Sequence, residues 1–190
     1  MFSQMGQFLI ETVFGFFVFL LLARFHMQWL RAPFRNPLGE FITALTNWMV
    51  LPARRIVPGL LGIDLSTLVL AWLAEGLHWV LLLWLKGVSF AGAPGIAAIA
   101  IAALAAVALL RLSLYLLIGV VIVQVILSWA NPYTPLAPVF SALTRPFYRM
   151  FRRFVPPVGN IDLVPLVVVI VAQLLLIPVA TLTNSVSKIF

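Results

Sequence analysis

The chain has 190 residues, of which 64% are hydrophobic and only 9% charged. A soluble domain carries roughly 25% charged residues, so this chain could not cover its own surface in water, and its solvent must be lipid. The formal charge of +7 lies between apolar stretches, which points to anionic phospholipid headgroups and away from nucleic acid. There is no Cys, which excludes disulfides, thiol catalysis, thiolate metal sites and covalent haem attachment.

The segment before Phe8 has no Lys or Arg, and the first apolar run ends at Ala23-Arg24-Phe25 without a small-x-small cleavage site. It therefore reads as a retained span rather than a signal peptide. This first span covers about 7–30 and carries Glu11, Arg24 and His26. A basic loop, 31–63, follows, and then a second span over about 64–86 with Glu75 and His78 inside it. Each span exceeds the ~20 residues that a bilayer core requires.

The third apolar stretch, Gly95 to Ala130, holds no Pro and a single charge, Arg111. As one helix it would be about 52 Å long at 1.5 Å per residue, against a hydrocarbon core of about 30 Å. Two antiparallel spans would need a turn near Arg111, where no Gly or Pro stands. The expected span is about 111–130, and the Ala-rich segment 95–110 either extends it or lies against the membrane. A second basic loop, 131–161, leads to a fourth span over about 162–182, with Gln173 at its middle and Pro178 as an expected kink.

Residues 36–65 and 134–163 repeat one another at a constant offset of 98 without a gap. Pro-Leu, Ala-Leu-Thr, Arg-Arg, Val-Pro and Ile-Asp-Leu recur in register, and Trp29 matches Trp129 if two residues are dropped before the segment. This is a duplication, with repeats 1–90 and 91–190. Of the 12 Lys and Arg, eight fall in the two loops: Arg31, Arg35, Arg54, Arg55, Arg145, Arg149, Arg152 and Arg153. The positive-inside rule then places both loops in the cytoplasm and both termini outside. The expected fold is all-α and integral to the membrane: four transmembrane helices as two parallel span–amphipathic loop–span repeats.

In the second loop, Arg145, Arg149, Arg152 and Arg153 fall at i, i+4, i+7 and i+8, with Phe147, Met150, Phe151 and Phe154 on the opposite side. That is an amphipathic helix with a basic and an aromatic face, suited to the headgroup plane. The first loop is a weaker version, with Phe41, Leu45 and Trp48 apolar and Pro52 ending its helix before Arg54-Arg55. These loops serve either as topology anchors or as surfaces that bind anionic phospholipids, a membrane protein partner or a second copy in a homo-oligomer. Asp64 and Asp162 each open an apolar run. Each is expected to cap a helix N-terminus, to pair with the preceding arginines, or both.

Ionisable groups inside a membrane need a partner or a role. Glu11 and Arg111 both lie 18 residues before a matched Trp, so they are expected at equal depth, either paired or snorkelling to headgroups. Glu75 lies at mid-membrane with His78 one turn on, and the offset of 98 places Gln173 at the equivalent point of the fourth span. With Gln124 these form either a structural hydrogen-bond cluster or a proton or ion site. No nucleophile elbow, phosphate loop, paired catalytic carboxylates or metal-ligand spacing is present, so no catalytic residue, metal or cofactor is expected and the chain is not read as an enzyme.

The pattern of Pro-Leu, Arg-Arg and Ile-Asp, carried as Arg54-Arg55 with Ile63-Asp64 and as Arg152-Arg153 with Ile161-Asp162, resembles the YggT (YlmG) family over essentially the whole chain, as a two-repeat bacterial member. The family often has a Pro shortly before the Arg pair and Ser-Pro after the Asp. The first copy keeps Pro52 and Ser66 but has Thr67, and the second has Met150 and Val164 but keeps Pro165. The resemblance implies a multi-pass protein of the bacterial inner membrane, with links to osmotic and ion homeostasis, to membrane and division-site organisation and, in plastids, to cytochrome haem assembly. It carries over no catalytic residue. The expected function is that of an inner-membrane organising or assembly protein acting through its basic loops. The alternative is an oligomeric small channel or transporter subunit built on Glu75, His78 and Gln173.

Overall fold

The computed structural model describes residues 2–57, 59, 63–90, 92–156 and 162–190. Ile161 of the second Ile-Asp motif lies outside the described residues, as does Pro58 of the first Val-Pro. Six helices follow one another: α1 (Phe2–Trp29), α2 (Pro37–Ile56), α3 (Leu65–Leu85), α4 (Pro94–Ala130), α5 (Ala137–Phe151) and α6 (Val164–Ser187). Helices α3, α4, α6 and α1 from Gln4 onward are long and apolar enough to cross a membrane. The chain is a four-span, all-helical membrane protein, with α2 and α5 as its two intervening helices.

Within each repeat the two spans run antiparallel. In the first, Phe14 stacks on His78 and Gly6 approaches Leu85. In the second, Val121 shares a buried cluster with Val164 and Val168. Between repeats, α1 and α4 run in the same direction: Val18, Leu21 and Leu22 cluster with Leu109, and Leu20 and Met27 with Leu116 and Val120. The repeats are thus parallel. They join head to tail, because α3 packs on α4 while α6 makes no contact with α1 or α3 among the described residues.

Helix α4 is continuous over 37 residues, so the Ala-rich segment extends the span. The expected start at 111 moves back to Pro94, and Arg111 falls inside the helix rather than at its end. The physical reason lies in α3, whose outward-running half packs against the Ala-rich part: Trp72 Nε1 donates to the Ala102 carbonyl at 3.0 Å, and Ile101 lies against Gly76. Small side chains there let the two backbones approach.

Helix α1 ends in a Schellman turn. The Ala32 N–H reaches the Met27 carbonyl at 2.7 Å, and Arg31 takes φ 54° where glycine is usual. Asn36 then caps α2, accepting from the Gly39 N–H at 3.0 Å. Pro52 does not end α2 as expected. It removes the donor for the Trp48 carbonyl, yet the helix runs on to Ile56 and carries Arg54 and Arg55 in its last turn.

Helices α2 and α5 each bury one face against the spans. Helix α2 buries Gly39, Ile42, Thr46 and Val50, and leaves Phe41 and Trp48 exposed. Helix α5 buries Val139, Leu143, Thr144 and Tyr148, while Met150, and Phe154 just beyond the helix, face outward. A Cβ on Gly39 would collide with the backbone of Phe34. Gly39→Ala should therefore lower stability by about 1–3 kcal/mol, read as a drop in the thermal unfolding midpoint in detergent; an unchanged midpoint would show that the turn yields freely.

Candidate functional site

The end of the molecule that carries α2 and α5, here the loop side, holds two equivalent polar junctions. In the first, Arg24 of α1 is buried at 4% exposure. Its Nη1 donates to Thr46 Oγ1 at 2.6 Å and to Asn47 Oδ1 at 2.9 Å, both on α2. In the second, Thr144 of α5 donates to Gln124 Oε1 of α4. Thr46 and Thr144 are the same position of the duplicated Ala-Leu-Thr, and Arg24 and Gln124 each stand five residues before the matched Trp. Each junction pins an intervening helix to its span through a buried threonine. Because the counterpart of Asn47 is Arg145, the cation sits on the span in the first repeat and on the intervening helix in the second.

A second pair of contacts closes each loop. Asp64 Oδ2 accepts from Arg54 Nη2 at 2.5 Å and from Nε at 3.2 Å, and Arg54 Nη2 also reaches Gln28 Oε1 at 3.1 Å. The same carboxylate takes the Thr67 hydroxyl at 2.6 Å and faces the Thr67 N–H, so it caps α3 as well. Asp162 repeats the ion pair, with Arg152 Nη2 donating to it at 3.1 Å, and accepts from the Val164 N–H at 2.9 Å. The ion pair is therefore formed in both copies and the N-cap only in the first: Asp162 stands one residue before Leu163, the N-cap of α6, and reaches the first helical N–H. Asp64 is buried and the Asp162 side chain is 44% exposed, so the first closure is the tighter.

Burial pushes the Asp64 carboxyl up, but the hydrogen bonds from Arg54 and Thr67 outweigh it, and the group ends below its usual value. Tyr148 is pushed up to about 12, by burial first and the Asp162 charge second, so its hydroxyl stays a neutral donor. That hydroxyl is buried and has no hydrogen-bond partner among the described residues. Arg55, Arg145, Arg149 and Arg153 are exposed, and none takes part in a hydrogen bond or ion pair among the described residues.

The intramembrane residues separate. Glu11 accepts from Gln7 Nε2 at 2.8 Å, and Arg111 stands exposed on α4 without joining it. Equal spacing does not give equal depth here: Leu109 and Leu112 share a cluster with Leu21 and Leu22, roughly ten residues or ~15 Å along the helix from Glu11. Glu75 is buried, with both carboxylate oxygens 3.4 Å from His78 Nδ1. The His78 Nε2 and Trp79 Nε1 atoms beside it are buried without partners. Gln173 is exposed on α6, which does not touch α3, and Gln124 is held by Thr144, so the expected cluster of Glu75, Gln173 and Gln124 is not assembled within one chain. Among the described residues no group of His, Asp and Glu is placed to hold a metal ion.

The family model described as CCB3/YggT matches residues 3–85 and again 103–183. An uncharacterized protein of Pseudomonas aeruginosa is 35% identical over 163 residues, covering 84% of this chain and 80% of that protein. One from the region 3′ of proC in Vibrio alginolyticus is 33% identical, covering 88% and 89%. The protein YggT of Escherichia coli K12, also described as uncharacterized, is 29% identical, covering 91% and 88%. No solved structure matches the chain.

Thr46→Val removes a neutral acceptor from a buried cation, whereas Thr144→Val removes a donor from a neutral amide. The first should cost about 1.5–3 kcal/mol and the second about 0.5–1.5 in thermal unfolding, and an inverted order would refute the assignment. The lowered Asp64 value makes its contribution to stability full above the ordinary value of 3.8. It is lost as pH falls below that value towards the folded one. Asp64→Asn should flatten the acid limb of the stability profile relative to wild type, and an identical limb would assign it to other carboxylates.

Proposed function

The chain belongs to the CCB3/YggT family, and from that membership together with the loop-side geometry we propose that it is an organising protein of the bacterial inner membrane that gathers anionic lipid, or partner proteins, on two basic cytoplasmic helices. One observation carries the reading. In each Arg-Arg pair the first arginine is held by an aspartate, and the second is left exposed without a partner among the described residues, at matching positions in both copies. The latch fixes where the free cation stands. Charges fixed at the headgroup plane contribute about 1 kcal/mol each toward an anionic leaflet. The positive-inside rule supports the cytoplasmic side for both loops.

Catalysis finds no support in the polar constellations. The buried Glu75–His78 pair and the exposed Gln173 lie on helices that do not touch, which weighs against a conduction path using all three in a single chain. Osmotic and ion homeostasis would follow indirectly, from the lipid and protein composition that such a surface maintains around itself.

Reconstitution in phosphatidylcholine vesicles containing a minor fraction of fluorescent phosphatidylglycerol tests the proposal by energy transfer from a labelled chain. Phosphatidylglycerol should be enriched around the wild type. The enrichment should fall at least about threefold in the quadruple variant Arg55→Gln, Arg145→Gln, Arg149→Gln, Arg153→Gln, and also in high salt. Equal transfer to labelled phosphatidylcholine would sink the idea.

A further inference from the structure

The two junctions are built alike but surround different spaces. At the second, Gln124, Ser141, Arg145, Tyr148, Arg149 and Arg152 are among the residues lining a cavity of about 570 Å³. Three guanidinium groups face it, and the one carboxylate nearby, Asp162, is already engaged with Arg152. Arg145 and Arg149 have no anionic partner among the described residues. Gln124, Tyr148 and Arg152 also line a neighbouring groove of about 720 Å³ between α4 and α6, whose walls include Val121, Val125, Ile126, Leu166 and Val169. The two spaces therefore share a wall: one end is basic, the other apolar. Tyr148 stands on that shared wall, and its buried hydroxyl lacks a protein partner.

The first repeat shows what such a junction becomes when it serves structure alone. The positions matching Arg145, Tyr148 and Arg149 are Asn47, Val50 and Leu51. Val50 is fully buried against Val18, Leu21 and Leu22, and the cation Arg24 is turned inward onto Thr46 and Asn47. The buried Arg24 cation and the filling Val50 are thus both accommodated within the protein. In the second repeat Asn to Arg and Val to Tyr replace a polar acceptor and a buried apolar filler by a cation and a phenol, and Leu to Arg replaces an exposed apolar side chain by a second cation. An unpaired cation cluster beside a stranded neutral donor matches a phosphate, which accepts from arginine forks and hydroxyls alike. An apolar groove running from the same wall matches an acyl chain.

We propose that the second repeat, and not the first, holds one anionic phospholipid, its phosphate on Arg145 and Arg149 with Tyr148 as donor and an acyl chain in the α4–α6 groove. This deepens the lipid reading above and rests on it. It adds stoichiometry, a specific repeat and a specific head-and-tail geometry.

Native mass spectrometry of the full chain in a non-ionic detergent, titrated with dioleoyl phosphatidylglycerol, dioleoyl phosphatidylcholine and inorganic phosphate, tests it. The wild type should retain one phosphatidylglycerol in preference to phosphatidylcholine. Arg145→Gln with Arg149→Gln should weaken that binding at least about tenfold, the equivalent of one charge-assisted hydrogen bond. Arg31→Gln with Arg35→Gln, two arginines of the first loop outside the site, should leave it unchanged. Tyr148→Phe should weaken it about threefold without lowering the unfolding midpoint, since the hydroxyl supports nothing in the protein. Equal losses in the two double variants would replace the site with a diffuse basic surface, overturning this proposal while leaving the broader one. No preference for phosphatidylglycerol in the wild type would overturn the site, and the vesicle experiment then decides the broader reading. Displacement of the bound lipid by millimolar inorganic phosphate would show a small-anion site and remove the acyl chain from the account.

Discussion

Each loop of this protein is closed by an arginine and an aspartate ten residues apart, Arg54 with Asp64 and Arg152 with Asp162. The aspartate does two things at once: it takes the guanidinium at the end of the intervening helix and accepts from the free amides that open the returning span. A helix start leaves several N–H groups without intrahelical partners, and an anion there is stabilised by their summed dipoles. One carboxylate thus satisfies the backbone, neutralises a cation next to hydrocarbon, and sets the distance between two helices. The Arg-Arg dipeptide divides labour accordingly, its first member facing the protein and its second facing the surroundings.

The junctions one layer deeper show how duplicated units diverge without losing the fold. A buried cation needs several good acceptors before it ceases to be a liability. The first repeat supplies two and closes tightly around Arg24. The second substitutes a neutral glutamine at that point and moves its arginine outward. The threonine between them is kept, because either arrangement needs a buried hydroxyl that can accept from one neighbour or donate to the other. The head-to-tail joining of the repeats adds a further asymmetry: α3 is covered by α4, whereas α6, with Gln173 at its middle, presents an uncovered side.

Much of this was legible in the sequence, for identifiable reasons. The four spans, the parallel repeats and both aspartate closures follow from strong signals: long apolar runs and a gapless offset. The junctions were hidden because Arg24 and Gln124 differ in chemistry and lie where the offset has slipped from 98 to 100. What could have exposed them was the threonine shared by the duplicated Ala-Leu-Thr, read together with distance from the matched Trp. Which faces of α2 and α5 turn inward was not legible, because lipid welcomes Phe41, Trp48, Met150 and Phe154 as readily as a protein core does. Near a membrane, apolar character alone does not tell inward from outward. Glu11 and Arg111 failed to meet because α1 and α4 are offset along their axes, Leu109 lying level with Leu21 and Leu22, and α4 also begins well before its counterpart.

That early start has a mechanical side. At 37 residues, α4 is about 55 Å long, and even at a tilt of ~40° it would still rise through about 42 Å. The hydrocarbon core offers roughly 30 Å, so about 12 Å of apolar helix needs a covering that an ordinary bilayer does not provide. Lipids around α4 must stretch, or neighbouring proteins must shield it. Either way the helix acts as a ruler, selecting thick or crowded patches of membrane for the molecule to occupy.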